Sequence, residues 1–324
     1  MWITGFGALL GNFVVIFVRF REEQHNRNSV QRLFITNLAF ADFLMGVYMV
    51  TIASVDIYYG ERYFLSAPIW RESQLCRFAG FVALLSSESS VFLLALITID
   101  RFICITFPFG TVRFRSRSGR IGVGLVWTLT FILSLAPIMI GLYDSEIYGL
   151  SDVCLGLPFN TFTEQKGRIR YVHESDVYQF IPEEEPEQRP NWLYSIALFL
   201  GVNFILLILI FICYIAIFVQ VRRSAKIAGT ERMKREIRMT TKMALIVGTD
   251  FCCWMPVIIM GILSQTGATE LPVSLYAWAV VFILPINSTL NPYLYSLIAL
   301  FSRKKKDGFP LTGLSVNALS KSNH

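Results

Sequence analysis

Seven long apolar stretches divide this chain, at about residues 2–20, 33–57, 77–107, 120–143, 192–222, 238–264 and 272–298. Each is close to or above the roughly 20 residues that an α-helix needs to cross a hydrocarbon core. Lipid offers no hydrogen bonds to a peptide backbone, so such stretches are read as helices. The pattern predicts an all-α membrane protein, a seven-transmembrane helix bundle whose two ends lie on opposite sides. Composition agrees: 54% of the 324 residues are hydrophobic and 16% charged, with a mean hydropathy of +0.53. That is too apolar for a soluble domain of this length.

Basic residues give the orientation. The segments after spans one, three, five and seven carry Arg19, Arg21, Arg27 and Arg32, then Arg113 to Arg120, then Arg222 to Arg235, then Arg303 to Lys306. The opposite connections are poorer in Lys and Arg, and the longest, 144–191, holds Glu183-Glu184-Glu185. The positive-inside rule then expects an extracellular N-terminus. The net charge of +6 reads as cytoplasmic charge facing anionic lipid, with no argument for nucleic acid. The acidic, Pro-rich connection 144–191 is expected to be a flexible loop. Span one starts at Trp2 with no charged leader before it, and the expectation is a chain from which an extracellular domain is missing.

Six cysteines fall into two groups. Cys76 and Cys154 lie in outer connections, where an oxidising environment lets them staple the long loop to the top of span three. Cys104, Cys213, Cys252 and Cys253 lie within spans and read as small apolar fillers.

Polar groups inside the spans need partners across the bundle. Asn12, Asp42, Glu88, Ser90, Asp250, Asn287, Ser288 and Asn291 are such groups. Asp42, Ser90, Asn287 and Asn291 can converge on one pocket, filled either by a hydrated network or by a small hard cation such as Na⁺. Pro256, Pro285 and Pro292 each delete a helical hydrogen bond and permit a kink, and Trp254 sits beside the first of them. Asp100-Arg101-Phe102 closes span three. Arg101 stays charged at any workable pH, so it is either a snorkelling interfacial arginine or a working ion.

These residues resemble, in order, spacing and sidedness, the rhodopsin-like (class A) G-protein-coupled receptors. The resemblance rests on Gly11-Asn12, Leu38 to Asp42, Cys76 before Asp100-Arg101-Phe102, Trp127, Cys252 to Pro256 and Asn291 to Tyr295. Asn37 to Met45, Ser86-Ser87-Glu88, Thr249-Asp250-Phe251 and Leu284 to Pro292 resemble the leucine-rich-repeat-containing hormone receptors. Ile103 to Ile105 with Phe107 to Phe109, and Trp254, are similar to the relaxin-receptor branch. The chain departs from the opsins in having Pro285 where retinal would need lysine, and from the amine receptors in having Ala83 where they use aspartate. Span five has Leu206 where most relatives have proline.

The resemblance implies a receptor that relays an extracellular peptide or protein hormone to a heterotrimeric G protein, of the stimulatory type. It implies an inactive-state latch of Arg101 with Asp100 and with Glu236 on span six, and Tyr214 and Tyr295 turning inward on activation. Trp254, Pro256, Asp250, Asn291 and Pro292 become the activation switch. A short amphipathic helix is expected at 299–307 and a cytoplasmic tail at 308–324, with arrestin as a further candidate partner. A transporter is disfavoured because no internal repeat is visible. An enzyme is disfavoured because His25, His173 and His324 are the only histidines and all lie in loops or tails. A truncated fragment that does not signal is the remaining alternative.

Overall fold

The computed structural model describes residues 1–23, 30–107, 113–141, 152–155, 167–172, 177–182, 194, 197–224, 231–265, 282–283 and 285–294. Six helices among them are long and apolar enough to cross a membrane. They belong to helices that run Trp2–Glu23, Val30–Tyr59, Gln74–Thr106, Ser116–Gly141, Phe204–Ser224 and Glu231–Gln265. Residues 285–294 form a further helical segment in the stretch read as span seven. Span five is preceded by a wide π-type turn, Ala197–Asn203.

Span three is the axis of the bundle. Its 33 residues rise about 50 Å at 1.5 Å each, and they are buried along most of their length. Ser73 caps its start, the side chain accepting from the Cys76 amide at 3.1 Å, which satisfies one of the donors a helix start leaves open. Spans one, four and five instead turn most of their surface outward. Their exposed Phe6, Phe13, Leu125, Ile132, Phe211 and Ile212 suit contact with lipid.

Two features of the outer connections were not visible in the apolar pattern. Between spans two and three the chain turns at Gly60, whose φ of 49° lies in the left-handed region that glycine reaches without strain. It then forms a short helix, Tyr63–Glu72. In the long acidic loop, Gly167–Val172 (β1) and Val177–Pro182 (β2) pair as an antiparallel hairpin, Gly167 opposite Pro182 and Val172 opposite Val177. The expectation of a wholly flexible loop therefore fails over these two strands. Arg-Ile-Arg-Tyr-Val against Val-Tyr-Gln-Phe-Ile carries the β-branched and aromatic residues that favour pairing, and the flanking acidic composition hid them.

Two apolar clusters fill the interior. One, toward the disulfide end (called outer below), gathers Met45, Tyr48, Met49, Leu84, Val91, Leu207, Trp254, Val257 and Ile258. The other, toward Arg101, gathers Phe34, Leu38, Leu93, Leu94, Ile97, Ile210, Met243 and Ile246. On span two the border falls between Ala41 and Met45, and on span six between Val247 and Trp254. Asp42 and Asp250 sit at that border. The polar residues thus form a layer between two hydrophobic compartments.

Candidate signalling core and its two ends

The polar layer is a chain of hydrogen bonds that touches five spans. Asp42 is fully buried. Its Oδ2 accepts from the Asn291 amide at 2.8 Å and its Oδ1 from the Ser90 hydroxyl at 3.4 Å, so spans two, seven and three meet there. Asp250 on span six accepts from the Asn287 amide on span seven. Asn12 on span one donates to the Ser288 carbonyl at 3.0 Å. That carbonyl lies four residues before Pro292, which has no N–H to offer it. The proline opens a backbone acceptor and a neighbouring span fills it, while the Asn291 amide goes to Asp42.

Burial explains why these groups are paired. A polar group moved into an apolar interior costs several kcal/mol unless it finds a hydrogen bond. Yet the amide oxygens of Asn12, Asn287 and Asn291 are buried and have no hydrogen-bond partner among the described residues. Four of the expected residues, Asp42, Ser90, Asn287 and Asn291, stand in one layer, in which the Asn287 and Asn291 amide oxygens are open to a donor or a cation. An all-oxygen set of this kind fits a hard ion such as Na⁺.

Glycine sets how closely the spans approach. A Cβ built on Gly46 would stand 2.7 Å from the Leu9 backbone nitrogen, and one on Gly11 would stand 2.9 Å from the Pro292 ring. Spans two and seven thus press on span one where only a hydrogen side chain fits. The Thr289 hydroxyl, which donates to the Thr4 carbonyl at 3.0 Å, lies along the same contact.

At the Arg101 end, the guanidinium pairs with Asp100, its Nε 3.1 Å from the carboxylate, and both residues are about 95% buried. Arg101 is not a snorkelling side chain. Tyr214 packs against the inner cluster nearby. Glu236 lies on the span-six helix with its side chain outside the described residues, and Tyr295, 299–307 and 308–324 lie outside them too. Trp254 is buried in the outer cluster, four residues beyond Asp250 and two before Pro256.

At the other end, Cys76 and Cys154 form a disulfide. Cys154 adopts a φ of 55°, uncommon for a residue with a side chain. The flanking segment is held by side chains that donate to its backbone: Tyr48 to the Val153 carbonyl at 2.8 Å and Trp70 to the Asp152 carbonyl at 2.9 Å. Arg71 adds a charged contact to Asp152, its Nη2 2.6 Å away. Val153, Cys154 and Leu155 are buried as a result. They form a plug between the short helix Tyr63–Glu72 and the tops of spans two and three.

The sequence reading missed Tyr48, Trp70 and Asn203. The last is a fully buried asparagine whose amide donates to Glu88 on span three at 2.9 Å. A lone asparagine within an apolar run is the signal that identified Asn12, and it would have found Asn203. Tyr48 and Trp70 carry no such mark, because their partners are backbone carbonyls.

Residues 11–295 match the family described as 7 transmembrane receptor (rhodopsin family). The chain belongs to that family. It is 39% identical over 297 residues to G-protein coupled receptor GRL101 of Lymnaea stagnalis, covering 92% of this chain and 24% of that protein. Against human Relaxin receptor 2 the identity is 32%, covering 94% of this chain and 37% of the relative. Against the Thyrotropin receptor of Felis catus it is 30%, covering 92% and 34%. The chain thus spans between about a quarter and two-fifths of the length of these relatives. The expected place among the leucine-rich-repeat hormone-receptor group is borne out by these matches. Membership makes this receptor a multi-pass protein of the plasma membrane, in a family of receptors rather than enzymes.

Proposed function

We propose that this chain is the membrane-spanning signalling unit of a receptor for a peptide or protein hormone, relaxin-like or glycoprotein-hormone-like. Its N-terminus faces outside, and its cytoplasmic face acts on a heterotrimeric G protein of the stimulatory type. The observation that carries the reading is the buried Asp100–Arg101 pair at the foot of span three. A buried arginine–aspartate pair has lost its hydration, a cost that its own attraction barely repays, so a second partner that opens the bundle can compete for the arginine.

In this reading the bundle is a two-state element, biased by hormone outside and by G protein inside. The inactive state holds span six to span seven through Asp250–Asn287 and to span three through Arg101 and Glu236. On activation span six turns about Pro256 beside Trp254, Arg101 is released, and Tyr214 and Tyr295 move beneath it. Asn291, tied to Asp42, and Pro292, whose freed Ser288 carbonyl is tied to Asn12 of span one, carry the same change along span seven. The opened cleft receives a helix of the G protein and, afterwards, arrestin. The remaining basic inner residues hold anionic membrane lipid.

Where Na⁺ binds, Asp42, Ser90, Asn287 and Asn291 hold it, and the ion supplies the positive charge that a buried carboxylate lacks. It then stabilises the state that binds it, by mass action. Thermal unfolding of the purified chain should rise with NaCl but not with choline chloride, and Asp42→Asn should abolish the difference. Equal curves in the two salts would remove the ion.

Signalling is tested in cells at matched surface expression. Asp250→Ala is expected to raise basal cyclic-AMP output several-fold, and Arg101→Ala to abolish it. Unchanged output in both variants, with a stimulatory G protein present, overturns the coupling.

A further inference from the structure

Pro137 stands near the outer end of span four, four residues beyond Leu133. A proline has no N–H, so the helical bond to the Leu133 carbonyl cannot form, and lipid cannot replace it. The donor comes from another span: the Tyr194 hydroxyl lies 2.6 Å from the Leu133 oxygen. Tyr194 lies three residues before the wide turn Ala197–Asn203. The last residue of that turn, Asn203, is fixed to Glu88 of span three at 2.9 Å. The turn is therefore bracketed, one end tied to span four and the other to span three. Wide turns of this kind are rare and occur often at functional sites. The residue at the usual proline position of span five is Leu206, so no proline there shapes this turn.

We propose that Tyr194 is a positioning residue: by capping the carbonyl that Pro137 leaves open, it sets the outer end of span five against span four and holds the wide turn in place above Asn203. Tyr194 and Leu133 both pack on the outer cluster, which also contains Cys154 and Leu155. The tie thus joins the two spans that the long loop connects in sequence, beside the plug that the disulfide anchors. Resting on the receptor reading for its consequence alone, a pull on that loop that draws Tyr194 from Leu133 lets the wide turn tighten by one residue. The outer part of span five then rotates by about 100° relative to Asn203, the angle of one residue in an α-helix.

The test is a two-residue cycle in the full chain, reconstituted in lipid and followed by backbone amide exchange. Tyr194→Phe removes the hydroxyl alone, and Pro137→Ala restores an N–H that can close onto Leu133. Tyr194→Phe is expected to speed exchange across 197–204 about tenfold, as loss of a buried carbonyl's donor implies, and to leave span two unchanged. In the Pro137→Ala background the same change should have less than about a third of that effect, because the carbonyl already has a donor. Equal effects in both backgrounds, or none in either, overturn the assignment. If Tyr194→Phe alone does not fold, recovery of folded protein in the double variant supports it and no recovery overturns it. Exchange is read without hormone or G protein, so a failure of the receptor reading leaves this measurement standing.

Discussion

The plug at the outer rim and the glycine-lined seam of spans one, two and seven both hold distant parts of the chain together, but by opposite means. The plug is fastened by a covalent bond and by donors aimed at backbone carbonyls: Cys76–Cys154, Tyr48 to Val153, Trp70 to Asp152. The seam is fastened by close backbone approach at Gly46 and Gly11, with amides reaching across it. In the seam and the layer beside it, the buried amide oxygens of Asn12, Asn287 and Asn291 lack a partner among the described residues. A region fastened by a covalent bond and by fixed backbone acceptors has one arrangement. A region with spare acceptors can admit a water, an ion or a new donor, and so has more than one. In the function proposed above, the rim is the fixed point and the polar layer is where the bundle changes.

Four substitutions probe that contrast. The largest effect is expected from Cys76→Ser, which removes a cross-link spanning 78 residues of sequence. Constraint of a loop that long stabilises by about 4 kcal/mol. Thermal unfolding of the purified chain, and its level at the cell surface, should both fall. A variant that melts with the parent chain would show that the backbone bonds alone seat the plug.

Gly46→Val comes next. Its Cβ would stand 2.7 Å from the Leu9 nitrogen and 2.8 Å from the Leu9 Cγ, and a backbone atom cannot swing aside as a side chain does. Span one would have to shift bodily, at a cost of about 3 kcal/mol for overpacking. The prediction is lost folded yield together with weakened contact of Asn12 with Ser288. An unchanged melting temperature would mean that span one is only loosely held, and the seam would lose its role.

The two regions also differ in how far the sequence exposed them. The seam and polar layer were legible, because Asn12, Asp42, Asp250, Asn287 and Asn291 are polar interruptions of apolar stretches, and cost dictates that such groups find each other. Which atom each would choose was not legible. The Asn291 amide went to Asp42, and the carbonyl freed by Pro292 drew on Asn12, because only folded geometry decides between near neighbours. At the rim, the pair of cysteines was readable from sidedness. Tyr48 and Trp70 were not, since any residue offers the carbonyl they use. The hairpin at 167–182 was hidden for a different reason: its pairing is local, but the surrounding acidic composition dominated the reading.

Tyr48→Phe tests whether the rim is held by more than its disulfide. The ring stays in the outer cluster and only the hydroxyl is lost, leaving the Val153 carbonyl without that donor. A buried acceptor stripped of its partner costs about 1–2 kcal/mol, smaller than the disulfide and the seam. The decisive readout is the rate at which reductant cleaves Cys76–Cys154. Faster cleavage in Tyr48→Phe, with unchanged signalling from the polar layer, places the tyrosine in the plug. Equal rates would leave the plug to the disulfide and the Trp70 bond, with no part for the Tyr48 hydroxyl.

Arg71→Ala is expected to do least, although the Arg71–Asp152 contact is shorter than the Tyr48 and Trp70 hydrogen bonds. Their side chains are 38% and 52% exposed, so water competes for both charges, and such pairs contribute well under about 1 kcal/mol. The expected result is a melting temperature within error of the parent at physiological salt and a small loss at low salt, where screening is weaker. A loss as large as that of Tyr48→Phe would mean that the rim depends on charge as well as on backbone acceptors. The plug would then share the sensitivity to ions proposed for the polar layer, and the division between a fixed end and an adjustable middle would have to be drawn deeper in the bundle.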